Sequence, residues 1–194
     1  MSKIIGLTGQ TGAGKTSVTE IAEKQGFTVI NCDEIAKSTL KSGSEALAAV
    51  VAEFSPVILL PDGSLDRKAL AALAFRDEQS TARLNKCVLP YIKADVQLIV
   101  AENQNNNILL DAPTLFESGL NEMCDDTVAV VADAELRKQR IMERDSISEE
   151  MATQRINAGK STEFFLNNAG HTVFNNSDEK TFQREFSAVL KSII

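Results

Sequence analysis

The stretch Ile4–Ser17 constrains the fold more than any other part of the chain, because an apolar run, a glycine-rich octet and a periodic segment follow one another without a gap. The run that begins at Ile4 has the character of a buried strand. The octet from Gly9 to Thr16 fits G-x-x-x-x-G-K-[ST], which forms a phosphate-binding loop when it lies between a strand and a helix. Apolar residues at helical spacing from Val18 onward supply that helix. The sequence therefore predicts a strand, a phosphate loop and a helix in succession.

The residue types in the octet suit the binding of a nucleotide. Its glycines let the backbone curl around an anion with the N–H groups pointing inward. Lys15 can reach the β- and γ-phosphates of ATP, the Thr16 hydroxyl can ligate Mg²⁺, and the helix start adds the positive end of its dipole. The competing interpretation is a glycine-rich turn with a surface lysine. The residues predicted to hold the nucleotide are Gly9, Gln10, Thr11, Gly12, Ala13, Gly14, Lys15, Thr16 and Ser17.

Length and charge narrow the class of protein. A chain of 194 residues has room for one α/β domain with its own core. No apolar run approaches the roughly 18 residues that span a bilayer, and no secretory leader is visible, so we expect no membrane partner and a cytoplasmic location. Cys32, Cys87 and Cys124 lack the spacing of a disulfide framework or a zinc site. The formal charge of −7 argues against a nucleic-acid partner.

Asp33 is the first candidate catalytic residue outside the octet. A second strand is predicted at Phe27–Ile30, after a helix that Gly26 can end. The strand, helix and strand form a βαβ unit, whose parallel strands end at the same edge of the sheet. Asp33 would then lie near the phosphate loop, where it could take the proton of an acceptor hydroxyl or help to hold the metal. The alternative is that Asp33 only caps the next helix.

Residues 34–105 are predicted to be mostly helical. Asp66 has the residue type of a helix cap, and Pro90 is expected to interrupt the long helical segment from Thr81 onward. So many helices between successive strands suggest a lobe inserted over the ligand crevice. Arg67 could contact substrate phosphates there.

The next strand is predicted at Ile108–Leu110 and ends in Asp111. An acid at this point often holds Mg²⁺ in nucleotide-binding proteins, and a helix-capping role for Asp111 is equally consistent. A helix is expected over the stretch that contains Phe116 and Glu117. The apolar run Thr127–Ala132 predicts a buried parallel strand.

The segment 135–160 is rich in arginine and lysine. Helical spacing puts Arg137, Arg140 and Arg144 along one face, and Ser148 has the residue type that begins a second helix. Two short helices with arginines could close over a triphosphate, exclude water and stabilise charge on the transferring phosphoryl group. We predict that Arg140 contacts phosphate, against the commoner alternative of a solvated amphipathic helix.

The C-terminal part is expected to add a short edge strand at Thr172–Phe174 and an amphipathic helix at Lys180–Ile194. His171, the only histidine, is interpreted as structural rather than catalytic.

With these residues in place, the chain resembles the dephospho-CoA kinases over nearly its whole length. The matching signatures are Gly6-Leu-Thr-Gly9 through Gly14-Lys15-Thr16, Val29-Ile30-x-x-Asp33-x-Ile35-Ala36, Asp62-Gly-x-Leu-Asp66-Arg67, Asp111-x-Pro113-x-Leu115-Phe116-Glu117, and Arg144-Asp145 followed by Arg155-Ile156. The resemblance implies an α/β, three-layer P-loop kinase fold with a central parallel sheet, in one domain over residues 1–194. Within it, 34–105 would be a helical CoA-binding lobe and about 135–160 a lid.

The same resemblance implies an activity and roles for particular residues. The activity would be Mg²⁺-assisted transfer of phosphate from ATP to the ribose 3′-hydroxyl of dephospho-CoA, and we expect a monomer. By position, Asp33 matches the catalytic aspartate, Arg140 the lid arginine and Asn175 an asparagine near the adenine site. Thr8, Asp33 and Arg67 are the residues expected to meet the acceptor. The chain departs from the family at Asn31, usually an acid, at Leu89, usually a histidine, and at Gly159, usually a glutamine.

Three other functions are consistent with a phosphate loop. Another small-molecule or nucleoside monophosphate kinase would share Lys15, Thr16 and a lid. A nucleotide-dependent switch of the guanine-specific kind usually carries Asn-Lys-x-Asp, and the nearest match, Asn85–Val88, fails its last position. An inactive relative would bind nucleotide without turnover.

Overall fold

The computed structural model describes residues 2–194, which form two compact units. The first unit comprises the chain up to Ile30 together with Asn103–Ile194, and the second comprises Asn31–Glu102. Within the described residues, no helix is long and apolar enough to cross a membrane.

Five strands and nine helices make up the regular structure of residues 2–194. The strands are β1 (Ile4–Gly9), β2 (Thr28–Asn31), β3 (Ile108–Asp111), β4 (Asp126–Val131) and β5 (His171–Phe174). The helices are α1 (Lys15–Lys24), α2 (Cys32–Thr39), α3 (Glu45–Phe54), α4 (Arg67–Ala74), α5 (Glu78–Glu102), α6 (Ala134–Asp145), α7 (Glu149–Asn157), α8 (Thr162–Asn168) and α9 (Glu179–Ile193). Short 3₁₀ turns occur at Pro56–Ile58 and Leu120–Met123.

The sheet has the strand order β2-β3-β1-β4-β5, so β1 lies in its centre. Strand β1 pairs in parallel with β3, where Ile5 lies opposite Leu109, and with β4, where Gly6 lies opposite Thr127. Strand β4 also pairs in parallel with β5 at the sheet edge. The carboxyl ends of these strands therefore share one edge, which is where open α/β sheets bind ligands.

Helices cover both faces of this sheet. Successive side chains along β4 point to opposite faces, so this strand contacts the helices on both sides. Val128 and Val130 belong to a core with α1 and α9, to which α9 contributes Phe182, Phe186 and Leu190 at helical spacing. Ala129 and Val131 pack instead against Phe165 of α8. Helix, sheet and helix thus form three layers, and the predicted α/β three-layer fold with a central parallel sheet is confirmed. The predicted edge strand and terminal helix are also present.

The second unit is a group of helices, as predicted for that region. The buried residues of α3 are Ala46, Leu47, Val50 and Phe54, which lie on the apolar face expected from the sequence. The Asp66 carboxylate caps α4 by accepting hydrogen bonds from the N–H groups of Lys68 and Ala69 at 2.9 and 3.1 Å. The Thr39 hydroxyl joins α2 to α5 through a 2.6 Å hydrogen bond to Asp95.

Pro90 does not interrupt α5, contrary to the prediction. The helix runs without a break from Glu78 to Glu102. A proline removes only one intrahelical hydrogen bond, and Val88, Ile92 and Val96 are all buried on one side of this helix. Burial of that face outweighs the local cost of the proline.

The stretch around Phe116 and Glu117 is also not the helix that was predicted. Residues 113–119 form a series of turns that ends at Gly119, whose φ of 68° lies in the left-handed region. Leu115 is fully buried, and its carbonyl accepts hydrogen bonds from both Leu120 and Asn121. A β-carbon at Gly6 would meet the Leu115 side chain at 2.7 Å. Close packing of this segment against β1 has therefore overridden its helical preference.

Candidate active site

The octet forms a tight cradle at the carboxyl end of β1. Gly12 and Gly14 have φ angles of 79° and 95°, a region that side chains rarely adopt. A β-carbon at Gly12 would lie 2.8 Å from the Arg137 carbonyl oxygen of α6, and one at Gly14 would collide with the Asn175 amide. The glycines are therefore required both by backbone conformation and by the close approach of α6 and the segment after β5.

The start of α1 is free of side chains that would compete with an anion. Its N-cap is Gly14, which supplies no side-chain hydrogen bond, and its first turn contains no acidic residue. The first N–H groups of a helix have no partner within the helix and carry the positive end of its dipole. Thr16 is exposed in this first turn and Ser17 is half-buried. This combination favours phosphate at the predicted position.

Lys15 forms an ion pair with Asp111, the acid at the end of β3. The Lys15 Nζ lies 2.9 Å from Asp111 Oδ1, and about a sixth of each side chain is exposed. No helix begins directly after Asp111, so the alternative in which it serves as a helix cap is wrong. The charges expected to contact phosphate and metal are thus adjacent at one sheet edge.

Arg140 carries an unsatisfied hydrogen-bond donor into this region. Its Nη2 donates to the Asn175 carbonyl oxygen at 3.1 Å, whereas Nη1 is buried without a partner among the described residues. The Asn175 Nδ2 donates in turn to the Ala13 carbonyl oxygen at 2.8 Å. A buried guanidinium N–H without an acceptor is costly, so the site fits an anion that would supply one.

The arginines of the predicted lid differ in burial although they share α6. Arg137 is buried and its Nε donates to the Ala132 carbonyl oxygen at 3.0 Å, and burial lowers the pKa of its guanidinium. Arg144 is exposed and pairs with Asp145, which also pairs with Arg155. Hydrogen bonds from Arg144, together with both arginine charges, lower the pKa of the Asp145 carboxyl. The spacing of the arginines predicted that they share one helix, but it could not predict that they differ in burial and in hydrogen-bond partners.

Helix α7, in the segment predicted to form a lid, begins where the sequence predicted. The Ser148 hydroxyl accepts a hydrogen bond from the Met151 N–H at 3.3 Å. Lys138 of α6 bonds to Glu149 at the start of α7 and to Glu135, at 2.7 and 2.8 Å, and both hydrogen bonds raise the pKa of its ammonium group. The two helices are therefore joined by a local charge network.

Gln10 and Thr8 are buried, so their side chains do not lie open in the cradle. The Thr8 hydroxyl donates to the Pro113 carbonyl oxygen at 3.0 Å. The Gln10 amide reaches the end of β4 and the loop before α8. Thr11 is exposed and Ala13 is fully buried. These contacts join residues more than 100 positions apart, so the motif could not predict them.

A cavity of about 430 Å³ lies in the second unit, and one of about 240 Å³ lies beside the octet. The smaller cavity adjoins the phosphate loop. It is lined by Gly9, Gln10, Thr11, Pro113, Thr114, Glu117, Arg137, Ile156, Ala158, Gly159, Lys160 and Phe165. Residues of the octet, of the turns after β3 and of helices α6 and α7 thus border one space.

Asp33 and Arg67 lie in the second unit. Asp33 is exposed in the first turn of α2, and its N–H and that of Glu34 are capped by the Asn31 side chain at 3.0 and 3.2 Å. Asn31 is therefore the helix cap, and the alternative that gave this role to Asp33 is wrong. Arg67 is exposed at the start of α4 and donates to the Lys37 carbonyl oxygen at 3.3 Å. The predicted approach of Asp33 to the phosphate loop stays a prediction.

The three-layer fold, the cradle at the end of β1 and the arginines of α6 define a P-loop kinase. The fold is shared with shikimate kinase from Bacteroides thetaiotaomicron, which superposes with a TM-score of 0.58 at 13% identity and covers 98% of this chain and 97% of its own. At that identity the likeness concerns the fold alone.

The particular family follows from comparisons at higher similarity. The family model for dephospho-CoA kinase matches residues 3–181. The dephospho-CoA kinase of Geobacillus kaustophilus is 34% identical over 98% of this chain and 96% of its own length. The structure of the dephospho-CoA kinase from Campylobacter jejuni superposes with a TM-score of 0.72 at 28% identity, covering 100% of this chain and 98% of that one. The chain belongs to the dephospho-CoA kinase family, as its signatures indicated.

Proposed function

We propose that this chain transfers the γ-phosphoryl group of ATP to the ribose 3′-hydroxyl of dephospho-CoA. The products are coenzyme A and ADP. Family membership over nearly the whole chain supports the substrates. The alternative of a different small-molecule kinase has no comparable support, because the likeness to shikimate kinase is limited to the fold.

One observation carries the chemistry in this chain: the buried, unpartnered Nη1 of Arg140 stands on the helix that packs against Gly12. A phosphate oxygen is the acceptor that such a donor fits best. We assign Arg140 to the phosphate chain of ATP, where a preorganised positive charge stabilises the negative charge that develops during transfer.

Lys15 holds the β- and γ-phosphates in this proposal. Its ammonium group is already fixed by Asp111 at 2.9 Å, so a small movement exchanges one anionic partner for another. The N–H groups at the start of α1 and along Gly9–Gly14 complete the cradle. Asn175 acts on the nucleotide side by holding the Ala13 carbonyl oxygen away from the incoming phosphates.

Asp33 accepts the proton of the 3′-hydroxyl. The 3′ oxygen forms a bond to the γ-phosphorus, the bond from that phosphorus to the β,γ-bridging oxygen breaks, and the proton passes through the carboxylate of Asp33 to solvent. The Asn31 cap holds the backbone of the first turn of α2, which carries this carboxylate. We assign Arg67 to the acceptor's own phosphates, and Thr8 to the acceptor side through its contact with Pro113.

Mg²⁺ fits the residues at this edge of the sheet. The described residues contain no cluster of three or more His, Cys, Asp or Glu that could hold a metal by themselves. Mg²⁺ in kinases is bound by one or two protein groups, by waters and by the substrate phosphates, and it neutralises charge on those phosphates when bound. The exposed Thr16 hydroxyl is the ligand we assign, with Asp111 available beside Lys15.

The remaining assignments concern the protein as a whole. We infer that 34–105 serves as the acceptor-binding lobe and 135–160 as the lid of a single kinase domain, which acts as a monomer in the cytoplasm. These assignments rest on the resemblance, and the formal net charge of −7 further favours a monomer.

The test is ADP release from Mg²⁺-ATP with dephospho-CoA, adenosine, AMP or shikimate as the acceptor at equal concentration. We expect turnover with dephospho-CoA alone and a new phosphate monoester at the ribose 3′ position in the ³¹P NMR spectrum of the product. Asp33→Asn is the matched variant, and it should lose turnover while keeping its melting temperature. Turnover of another acceptor only, or a monoester at another position, would refute the proposal.

A further inference from the structure

Gln10 is an unusual residue for a turn that binds an anion. It is only 5% exposed, although its neighbour Thr11 is exposed. A long polar side chain loses rotamer freedom on burial, and its amide must find hydrogen-bond partners. The octet pattern itself demands no such side chain at this position.

The Gln10 amide connects three segments that are distant in sequence. Its Oε1 accepts a hydrogen bond from the Ala132 N–H at the end of β4, at 3.3 Å. Its Nε2 donates to the Lys160 carbonyl oxygen at 3.3 Å and to the Thr162 hydroxyl at 3.2 Å. The phosphate loop is thus bonded to the last residue of the lid segment and to the first residue of α8.

The connection continues into the first lid helix. Ala132 donates its N–H to Gln10 and accepts a hydrogen bond from the buried Arg137 of α6 through its carbonyl oxygen. Gln10, Arg137 and Lys160 also border the same cavity of about 240 Å³. A change in the position of Gln10 therefore acts on both ends of the 135–160 segment.

The loop between α7 and α8 offers few side chains of its own for attachment. Ala158 and Gly159 are exposed, and a β-carbon at Gly159 would meet nothing closer than the Ile156 carbonyl oxygen at 3.4 Å. The Lys160 side chain lies over the Phe164 ring and leaves its backbone carbonyl to Gln10. Gln10 supplies from the phosphate loop an attachment that this loop lacks.

We propose that Gln10 is a positioning residue that couples occupation of the phosphate loop to the position of the lid segment. This inference rests on the proposed function. Ligand that fixes the loop around Gln10 orders residues 158–162, and by linkage an ordered lid segment raises the affinity of the loop for ATP. Gln10 does this through its amide and does not touch the reacting atoms.

Gln10→Glu separates the two sides of the connection. The carboxylate keeps an oxygen for the Ala132 N–H but offers no donor to the Lys160 carbonyl or the Thr162 hydroxyl. We expect the KM for ATP to rise about tenfold, the effect of losing one to two hydrogen bonds, with the KM for dephospho-CoA unchanged. Gln183→Glu, at a half-buried glutamine of α9 outside both the acceptor-binding lobe and the lid segment, is the control and should leave both constants unchanged.

The second readout is protection of the lid segment from trypsin, which can cut after the exposed Arg155 and Lys160. A non-hydrolysable ATP analogue should slow these cuts severalfold in the unaltered chain and in Gln183→Glu, but not in Gln10→Glu at saturating analogue. A role limited to folding would lower the melting temperature of Gln10→Glu and leave this protection in place.

The outcomes distinguish this inference from the proposed function. Retained protection and an unchanged KM for ATP in Gln10→Glu would overturn the coupling, as would the lack of protection in the unaltered chain. Protection that depends on Gln10, in a protein that does not phosphorylate dephospho-CoA, would support the coupling and refute the function.

Discussion

Lys15 and Asp111 illustrate how single residues of the site depend on one another. The two side chains are mostly buried and form one ion pair. The sequence predicted the lysine from its motif and left two roles open for the aspartate. Their pairing could not be predicted, because it joins residues 96 positions apart.

The first prediction concerns Lys15→Ala. We expect turnover to fall at least about a hundredfold, because the charge that stabilises the transferring phosphoryl group is lost. The unpaired Asp111 should cost about 1–3 kcal/mol in the free energy of unfolding. Steady-state kinetics and urea unfolding measure the two effects. Lys24→Ala, at the exposed end of the same helix, is the control, and equal loss of turnover in both variants would contradict the assignment.

The second prediction concerns the thiol of Cys124. Burial, with a smaller contribution from the Asp125 carboxylate, raises the pKa of Cys124 to about 12. The folded state thus disfavours the thiolate. The contribution of Cys124 to the free energy of unfolding is therefore fully present below the ordinary thiol pKa of about 9 and is lost as the pH rises from there toward 12. We expect the free energy of unfolding to fall faster over this range than in Cys124→Ala. A constant difference between the two proteins would show that the thiol does not titrate differently on folding.

At the scale of elements, prediction succeeded where local chemistry decides. Gly26, with a φ of 84°, follows the end of α1, and Ser148 and Asp66 cap the helices that they were expected to begin. It failed where distant packing decides, as at Pro90 and in the turns around Leu115. The hydrogen bonds of the Gln10 amide are another feature that distant packing decides, since its three partners lie more than 100 positions away.

The third prediction concerns the cap of α2. Asn31→Ala removes the acceptor for the N–H groups of Asp33 and Glu34 and should lower the free energy of unfolding by about 1 kcal/mol. It should also lower kcat severalfold, because the helix turn that orients Asp33 frays. Asn31→Asp retains a capping oxygen and should behave as the unaltered chain in both respects. Thermal unfolding and kinetics of the pair test this, and matching losses in both variants would argue against a capping role.

At the scale of the whole molecule, charge and the distribution of apolar surface bear on assembly. The most exposed large apolar residues include Val57, Phe75 and Leu98 of the second unit and Leu166 and Phe174 of the first. The formal charge of −7 adds repulsion between copies.

The fourth prediction is that the chain sediments as a single species of 21.0 kDa. We expect the mass to stay the same in low and moderate salt, since no contact between copies is required for the proposed site. Sedimentation velocity over a hundredfold range of concentration measures this. A larger species with full activity at the highest concentration would overturn the monomer assignment.

The central place of β1 has a consequence for the timescale on which the molecule opens. Ile5, Leu7 and Thr8 have no exposed surface, and hydrogen-bonded strands flank β1 on both sides. Amide protons in such a strand exchange with solvent only when the whole unit unfolds. The glycine loop therefore follows directly on the strand whose amide protons should exchange last. The loop before α8, to which Gln10 is hydrogen-bonded, is exposed, and its amide protons should exchange early. We therefore expect hydrogen exchange to be slow in β1 and fast in the loop before α8.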